Sequence, residues 1–121
     1  MIERRVRPAA LVHSIVGALR GVGLPAADAR SIGLLMAEAD ACGSDGDGIS
    51  RLPQYSPRIK AGGIDLRPNV RLVQEHSATA VIDGDDAMGQ PVMHRATELA
   101  ITKAKEYGIG WVGAFGCYAR L

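Results

Sequence analysis

Fifteen glycines punctuate this chain, and their placement decides which elements it can form. Glycine tolerates left-handed backbone and weakens helix and strand interiors, so clusters of it end elements. The clusters fall at 21–23, 43–48, 62–63 and 108–113, leaving segments of one helix or one hairpin between them. Aromatic residues are scarce, with one Trp, one Phe and three Tyr. Such a chain builds its core from aliphatic and alanine side chains and connects it by tight turns.

Between the glycines the pattern is readable. Leu11, Ile15 and Leu19 recur every four residues, as on one face of a helix over 8–20. That period also argues against a signal peptide behind Arg4, Arg5 and Arg7. Pro25 suits the first turn of a second helix, 26–41, with Ile32, Leu35, Met36 and Ala39 as its buried stripe. Gly43 stops it. A short helix or turn is expected over 49–59, around Pro53 and Pro57. Strands are expected at 70–74 and 79–83, with Asp83-Gly84-Asp85-Asp86 as a turn. A third long helix fits 91–107, with Thr97, Ile101 and Ala104 on the face of Val92 or Met93. Gly108 ends it, and 111–115 reads as a strand carrying Trp111 and Phe115 into a core. Helices, then strands, then a helix leading into a strand make a mixed α/β fold. The expected organisation is one incomplete domain over 1–121, with a helical segment at 1–62 and the start of a sheet region at 63–121.

Composition excludes several classes. Hydrophobic residues at 47% and charged residues at 22% are ordinary globular usage, not that of a disordered chain. A net charge of +1 gives no electrostatic footprint for nucleic acid or an acidic membrane surface. No stretch approaches the roughly 20 apolar residues of a membrane span. Cys42 and Cys117 show no metal-ligand spacing, and the expectation is reduced thiols in a cytoplasmic protein.

Most motif-like features dissolve on inspection. Loops starting at Asp45 or Asp83 lack the oxygen ligands and the glycine that a calcium loop requires, so no metal site is expected. Gly108-Ile109-Gly110-Trp111-Val112-Gly113 has dinucleotide-type spacing, but a helix precedes it and a strand follows. A pyrophosphate site needs the reverse order, so this is a helix-to-strand turn. The segment 45–55 is more promising. Arg51 could grip a carboxylate with two parallel hydrogen bonds, and Tyr55 lies one helical turn on. Alternatively, Arg51 pairs with Asp45 or Asp47 and pins the loop.

At this loop the chain resembles the N-terminal part of the malate/L-lactate dehydrogenase family, the non-Rossmann 2-hydroxyacid oxidoreductases. The resemblance is carried by Gly-Leu-Pro-Ala-Ala-Asp-Ala at 23–29 and by the run from Ala37 through Asp45-Gly46-Asp47-Gly48-Ile49-Ser50-Arg51-Leu52-Pro53-Gln54 to Tyr55. It continues in Ala-Gly-Gly-Ile at 61–64, Val-Ile-Asp-Gly at 81–84, Gly89-Gln90 and Gly-Ile-Gly-Trp-Val at 108–112. It implies NAD or NADP as cofactor, a small 2-hydroxy or 2-oxo acid as substrate, and hydride transfer between them. It also implies a homodimer, or pairing with a full-length relative. Arg51 and Tyr55 match residues that hold substrate.

Two departures stand out. The family's Asp-Ser-His-Gly appears as 45–48 with Asp47 at the histidine position. Histidine titrates near neutrality, whereas an ordinary aspartate does so near pH 4, so the two are not equivalent proton donors. A second histidine of many members is replaced near Ala119. The family's cofactor-binding segments lie beyond the matched part, so no cofactor-binding residue is expected here. The chain reads as roughly the first third of such an enzyme, without activity alone, and some apolar surface near Trp111 and Phe115 is then expected to be exposed or paired with a partner. The alternative is a non-catalytic dimerisation or carboxylate-binding module.

Overall fold

A computed structural model of the chain describes residues 4–118. It is mixed α/β and divides into two compact units, Met1–Ala61 and Gly62–Leu121. No helix among the described residues is long and apolar enough to cross a membrane.

The first unit is helical. Helix α1 spans Pro8–Gly21 and α2 spans Ala26–Ala41. A 3-10 turn, Ile49–Arg51, then runs directly into α3, Leu52–Lys60. Proline at the start of α1 costs nothing, because the first helical N–H groups have no intrahelical partner. Ile15 and Leu19 of α1 are fully enclosed, packed in a core that also includes Ala29, Ile32, Met36, Tyr55 and Ile59. The face of α2 differs from the expected stripe: Ala29, Ile32, Gly33, Met36 and Ala37 are buried, whereas Leu35 is exposed. Gly33 explains the rotation. A Cβ there would stand 2.8 Å from Val16 Cγ2 and 3.6 Å from the Val12 carbonyl, so the two helices meet backbone-close at this glycine. Helix α2 ends at Gly43, whose φ of +81° closes a Schellman motif. The Ser44 N–H donates to the Ala39 carbonyl at 2.8 Å and the Gly43 N–H to the Asp40 carbonyl at 3.1 Å.

The second unit is a three-stranded sheet in the order β1-β2-β3, covered by one helix. Strand β1 is Arg71–Glu75, β2 is Thr79–Met88, helix α4 is Gly89–Tyr107 and β3 is Trp111–Tyr118. β1 and β2 form an antiparallel hairpin; β2 and β3 are parallel, with α4 as the crossover. Ile82 and Ala87 on β2 meet Val92 and Ala96 on α4, with Leu99, Val112 and Ala114 packed against them.

Three expectations change here. Residues 83–86 are not a turn. β2 continues through them to Met88, and Asp85 and Asp86 adopt φ of 52° and 58°. The ladder passes from Asp83↔Phe115 to Ala87↔Cys117, so three residues of β2 bulge opposite one of β3. The bulge is held by side chains: the Asp85 N–H donates to Asp83 Oδ1 at 3.0 Å, and the Asn69 N–H to Asp85 Oδ2 at 2.8 Å. The inward face of α4 is Val92, Ala96, Leu99 and Lys103, while Met93, Thr97 and Ile101 are exposed. Last, Trp111 and Phe115 are not packed into a core as strand residues: they are 64% and 52% exposed, the apolar surface expected of the first part of a larger enzyme. They alternate with Val112 and Ala114, so they point to the sheet face that α4 does not cover.

The dinucleotide-like spacing at 108–113 is a helix-to-strand turn. Gly108, at φ +84°, ends α4, and its N–H donates to the Ala104 carbonyl at 2.9 Å. Gly110 is constrained differently: a Cβ there would collide with the Ala100 carbonyl.

Candidate functional site

The segment 44–55 is built as one hydrogen-bonded unit. After the Schellman end of α2, the Asp47 N–H donates to the Ser44 carbonyl at 2.9 Å. The Ser44 hydroxyl donates back to Asp47 Oδ2 at 3.0 Å. The Arg51 N–H donates to the Gly48 carbonyl at 3.0 Å, starting the 3-10 turn, and the Ser50 hydroxyl donates to the Asp45 carbonyl at 2.5 Å.

Arg51 lies at the centre of this unit. Its Nε donates to the Gly46 carbonyl, Nη1 to Gln54 Oε1 at 3.3 Å and Nη2 to Asp47 Oδ1 at 3.2 Å. The side chain is 14% exposed, whereas that of Asp47 is 59% exposed. A guanidinium carries five N–H donors, and these contacts use three. The loop-pinning partner is therefore Asp47 rather than Asp45, and the guanidinium is held in a fixed orientation. Tyr55 follows one turn later, with its body buried in the core of the helical unit. The three residues selected from sequence thus lie on one continuous segment, with Asp47 outermost and in direct contact with Arg51. Ala119, near the second histidine position, lies outside the described residues.

Two further participants, both inside the 37–55 run, are not singled out by the sequence as site residues. Gln54 supports the guanidinium from the next turn. Asp40, near the end of α2, accepts the Ile49 N–H at 2.8 Å across nine residues. Its carboxylate lies against Gly48 so closely that any Cβ at that glycine would overlap it. The available sequence signal was an acidic side chain at a helix C-terminus, where the dipole disfavours it.

Two Arg51 guanidinium N–H donors remain beyond the contacts with Gly46, Gln54 and Asp47, while the charge is paired with Asp47. Asp47 supplies a carboxylate acceptor at the rim of the segment. The second unit contributes no comparable cluster near its glycine turn: Gly110 is packed on α4, and no helix N-terminus follows among the described residues.

Comparison with known proteins identifies the family of the chain. A profile of the malate/L-lactate dehydrogenase family matches residues 6–118. L-Sulfolactate dehydrogenase of Methanocaldococcus jannaschii is 44% identical over 98 residues, covering 81% of this chain and 28% of that protein. Malate dehydrogenase of Pyrococcus horikoshii is 40% identical over 108 residues, covering 89% of this chain and 30% of that protein. The solved structure of malate dehydrogenase from Pyrococcus horikoshii OT3 superposes with a TM-score of 0.90 at 38% identity, over 96% of this chain and 33% of that one. The sulfolactate dehydrogenase structure from Methanocaldococcus jannaschii gives 0.87 at 39% identity, over 93% and 33%. The chain therefore spans about a third of the length of these relatives, and over that span it belongs to the malate/L-lactate dehydrogenase family.

Proposed function

We propose that these residues form the substrate-recognition portion of an NAD(P)-dependent oxidoreductase for small 2-hydroxy or 2-oxo acids. Arg51 holds the substrate carboxylate, Tyr55 shapes the wall behind it, and Asp47 stands at the family's histidine position. The observation that supports this most is the fixed guanidinium, oriented by the Gly46 carbonyl, Gln54 and Asp47 within a segment that matches the family. Names of relatives give the substrate class: malate, sulfolactate and, in an Escherichia coli enzyme, ureidoglycolate with NAD.

The one glycine run with dinucleotide-like spacing gives no support for a nicotinamide site. The glycine spacing at 108–113 follows a helix end and presents no helix N-terminus to a pyrophosphate. No hydride step is therefore assigned to this chain. Its residues bind and orient the acid. Asp47 engages Arg51 and Ser44 through its two carboxylate oxygens, which is a scaffold role rather than that of a proton-donating histidine.

Titration calorimetry of the 121-residue chain with L-malate, L-lactate and sulfolactate tests the reading. Weak binding that disappears in Arg51→Ala is expected, and equal heats in the two proteins would remove it. NAD(P)H oxidation with 2-oxo acids is expected to stay at background for this chain alone; clear turnover would overturn that part. A second reading, an assembly module pairing with a full-length relative, is favoured by the uncovered Trp111 and Phe115. Co-purification with such a relative supports it, and a monomer indifferent to it does not.

A further inference from the structure

Asp40 lies in the last turn of α2, a turn with no basic residue, where a carboxylate faces the negative end of the helix dipole. It has a specific partner there. Oδ2 accepts the Ile49 N–H at 2.8 Å, and Ile49 is the first residue of the 3-10 turn that continues into α3. Gly48, which precedes that turn, has no side chain with which to cap it. The Asp40 carboxylate occupies the space where a Gly48 side chain would be. The helical stretch 49–60 is thus capped from outside, by a side chain nine residues upstream. Gly48 is buried, and its carbonyl accepts the Arg51 N–H at 3.0 Å. Holding Gly48 and Ile49 therefore fixes the backbone of Arg51 and the approach of Asp47 to it.

We propose that Asp40 is a positioning residue for carboxylate recognition: its bond to Ile49 sets where the Arg51 guanidinium stands. This rests on the substrate reading above and adds to it a residue that does not touch the ligand. Asp40→Asn retains an oxygen acceptor at the same reach. Asp40→Ala removes it, and Gly48→Ala pushes the carboxylate away while leaving Asp40 in place.

Amide hydrogen exchange by NMR, with L-malate titration on the same samples, separates the possibilities. In Asp40→Ala the Ile49 amide should exchange about tenfold faster, while the amides of the α1 and α2 cores keep their protection. Malate affinity should fall several-fold with it, and Asp40→Asn should restore both. Gly48→Ala should reproduce Asp40→Ala, which keeps the test alive if one variant folds poorly. Unchanged Ile49 exchange in both variants overturns the proposal. So does faster exchange with wild-type malate affinity. If the wild-type chain binds no malate, the substrate reading fails, and Ile49 exchange alone then decides whether Asp40 fixes the loop.

Discussion

Lys103 is a buried charge of the sheet unit, and replacing it gives a calculable outcome. Its side chain is 7% exposed, and Nζ donates to Glu75 Oε1 at 2.9 Å, the His76 carbonyl at 2.8 Å and the Ser77 carbonyl at 3.1 Å. All three ammonium donors are thus engaged, tying α4 to the hairpin between β1 and β2. Lys103→Met keeps an unbranched stem and deletes the ammonium. Hydrogen bonds to a charged group contribute about 1.5–3 kcal/mol each. Glu75 is 51% exposed and rehydrates when its partner goes, so that contact counts below about 1 kcal/mol. The two carbonyls belong to exposed turn residues and recover part of their loss from water. The expected cost is about 2–3 kcal/mol. An opposing effect exists, because apolar replacements of buried ion pairs are sometimes stabilising. Here only the cation is removed and its acceptors stay, so the loss should win. For a unit of this size the midpoint should fall by roughly 10–20 °C. Trp111 is the single tryptophan and lies on β3, so its fluorescence reports melting of this unit. An unchanged or higher midpoint in Lys103→Met would refute the reasoning. Glu75→Gln alone should cost less than about 1 kcal/mol.

Three further outcomes follow from individual contacts and exposures. Asp47→Ala should change malate affinity by no more than about five-fold, because it removes both a competing carboxylate, 59% exposed, and one of the three groups orienting Arg51; a larger change by calorimetry would refute that balance. The Asp85 N–H, and after it Arg71, hold the Asp83 carboxyl below the usual carboxylate range. A lowered folded-state value stabilises above the unfolded pKa and is lost as pH falls through the folded one. Urea midpoints of wild type and Asp83→Asn should therefore differ at neutral pH, and the difference should begin to shrink below about pH 4 and vanish only below the lowered folded-state value. Burial pushes the Cys117 thiol up, whereas Cys42 is exposed; both are free. Maleimide at neutral pH should label Cys42 first, as peptide mass mapping would show, and faster labelling at Cys117 would contradict its burial.

Local chemistry made much of the fold legible. Pro25 and Gly43 bracket α2, and the observed helix, Ala26–Ala41, has the bounds their chemistry implies. The glycine turn after α4 was readable for the same reason. Helix faces were less accessible. The rotation of α2 depends on Gly33, which an apolar count ignores although it is where the backbones meet. The inward line of α4 includes a lysine, whose partners lie in a hairpin far away in sequence. The bulge at 83–86 has turn-like composition, and only pairing with β3 keeps it within a strand. In the candidate site, residue types pointed to Arg51 and Tyr55, and the family resemblance to Asp47. The partners that orient them were hidden, because the Gly46 carbonyl carries no side-chain identity and Asp40 acts across nine residues.

Gly48 has a φ of −92° and a ψ of −146°, so a left-handed backbone is not what calls for glycine there. The demand comes from Asp40, and it makes positions 40 and 48 a single unit of substitution. Gly48→Ala should be poorly tolerated while Asp40 is present and nearly neutral once Asp40→Ala has been made, a strong non-additivity between neighbours in space. A library randomised at both positions should return correlated pairs rather than independent preferences. Independent recovery would mean that the carboxylate can move aside at little cost.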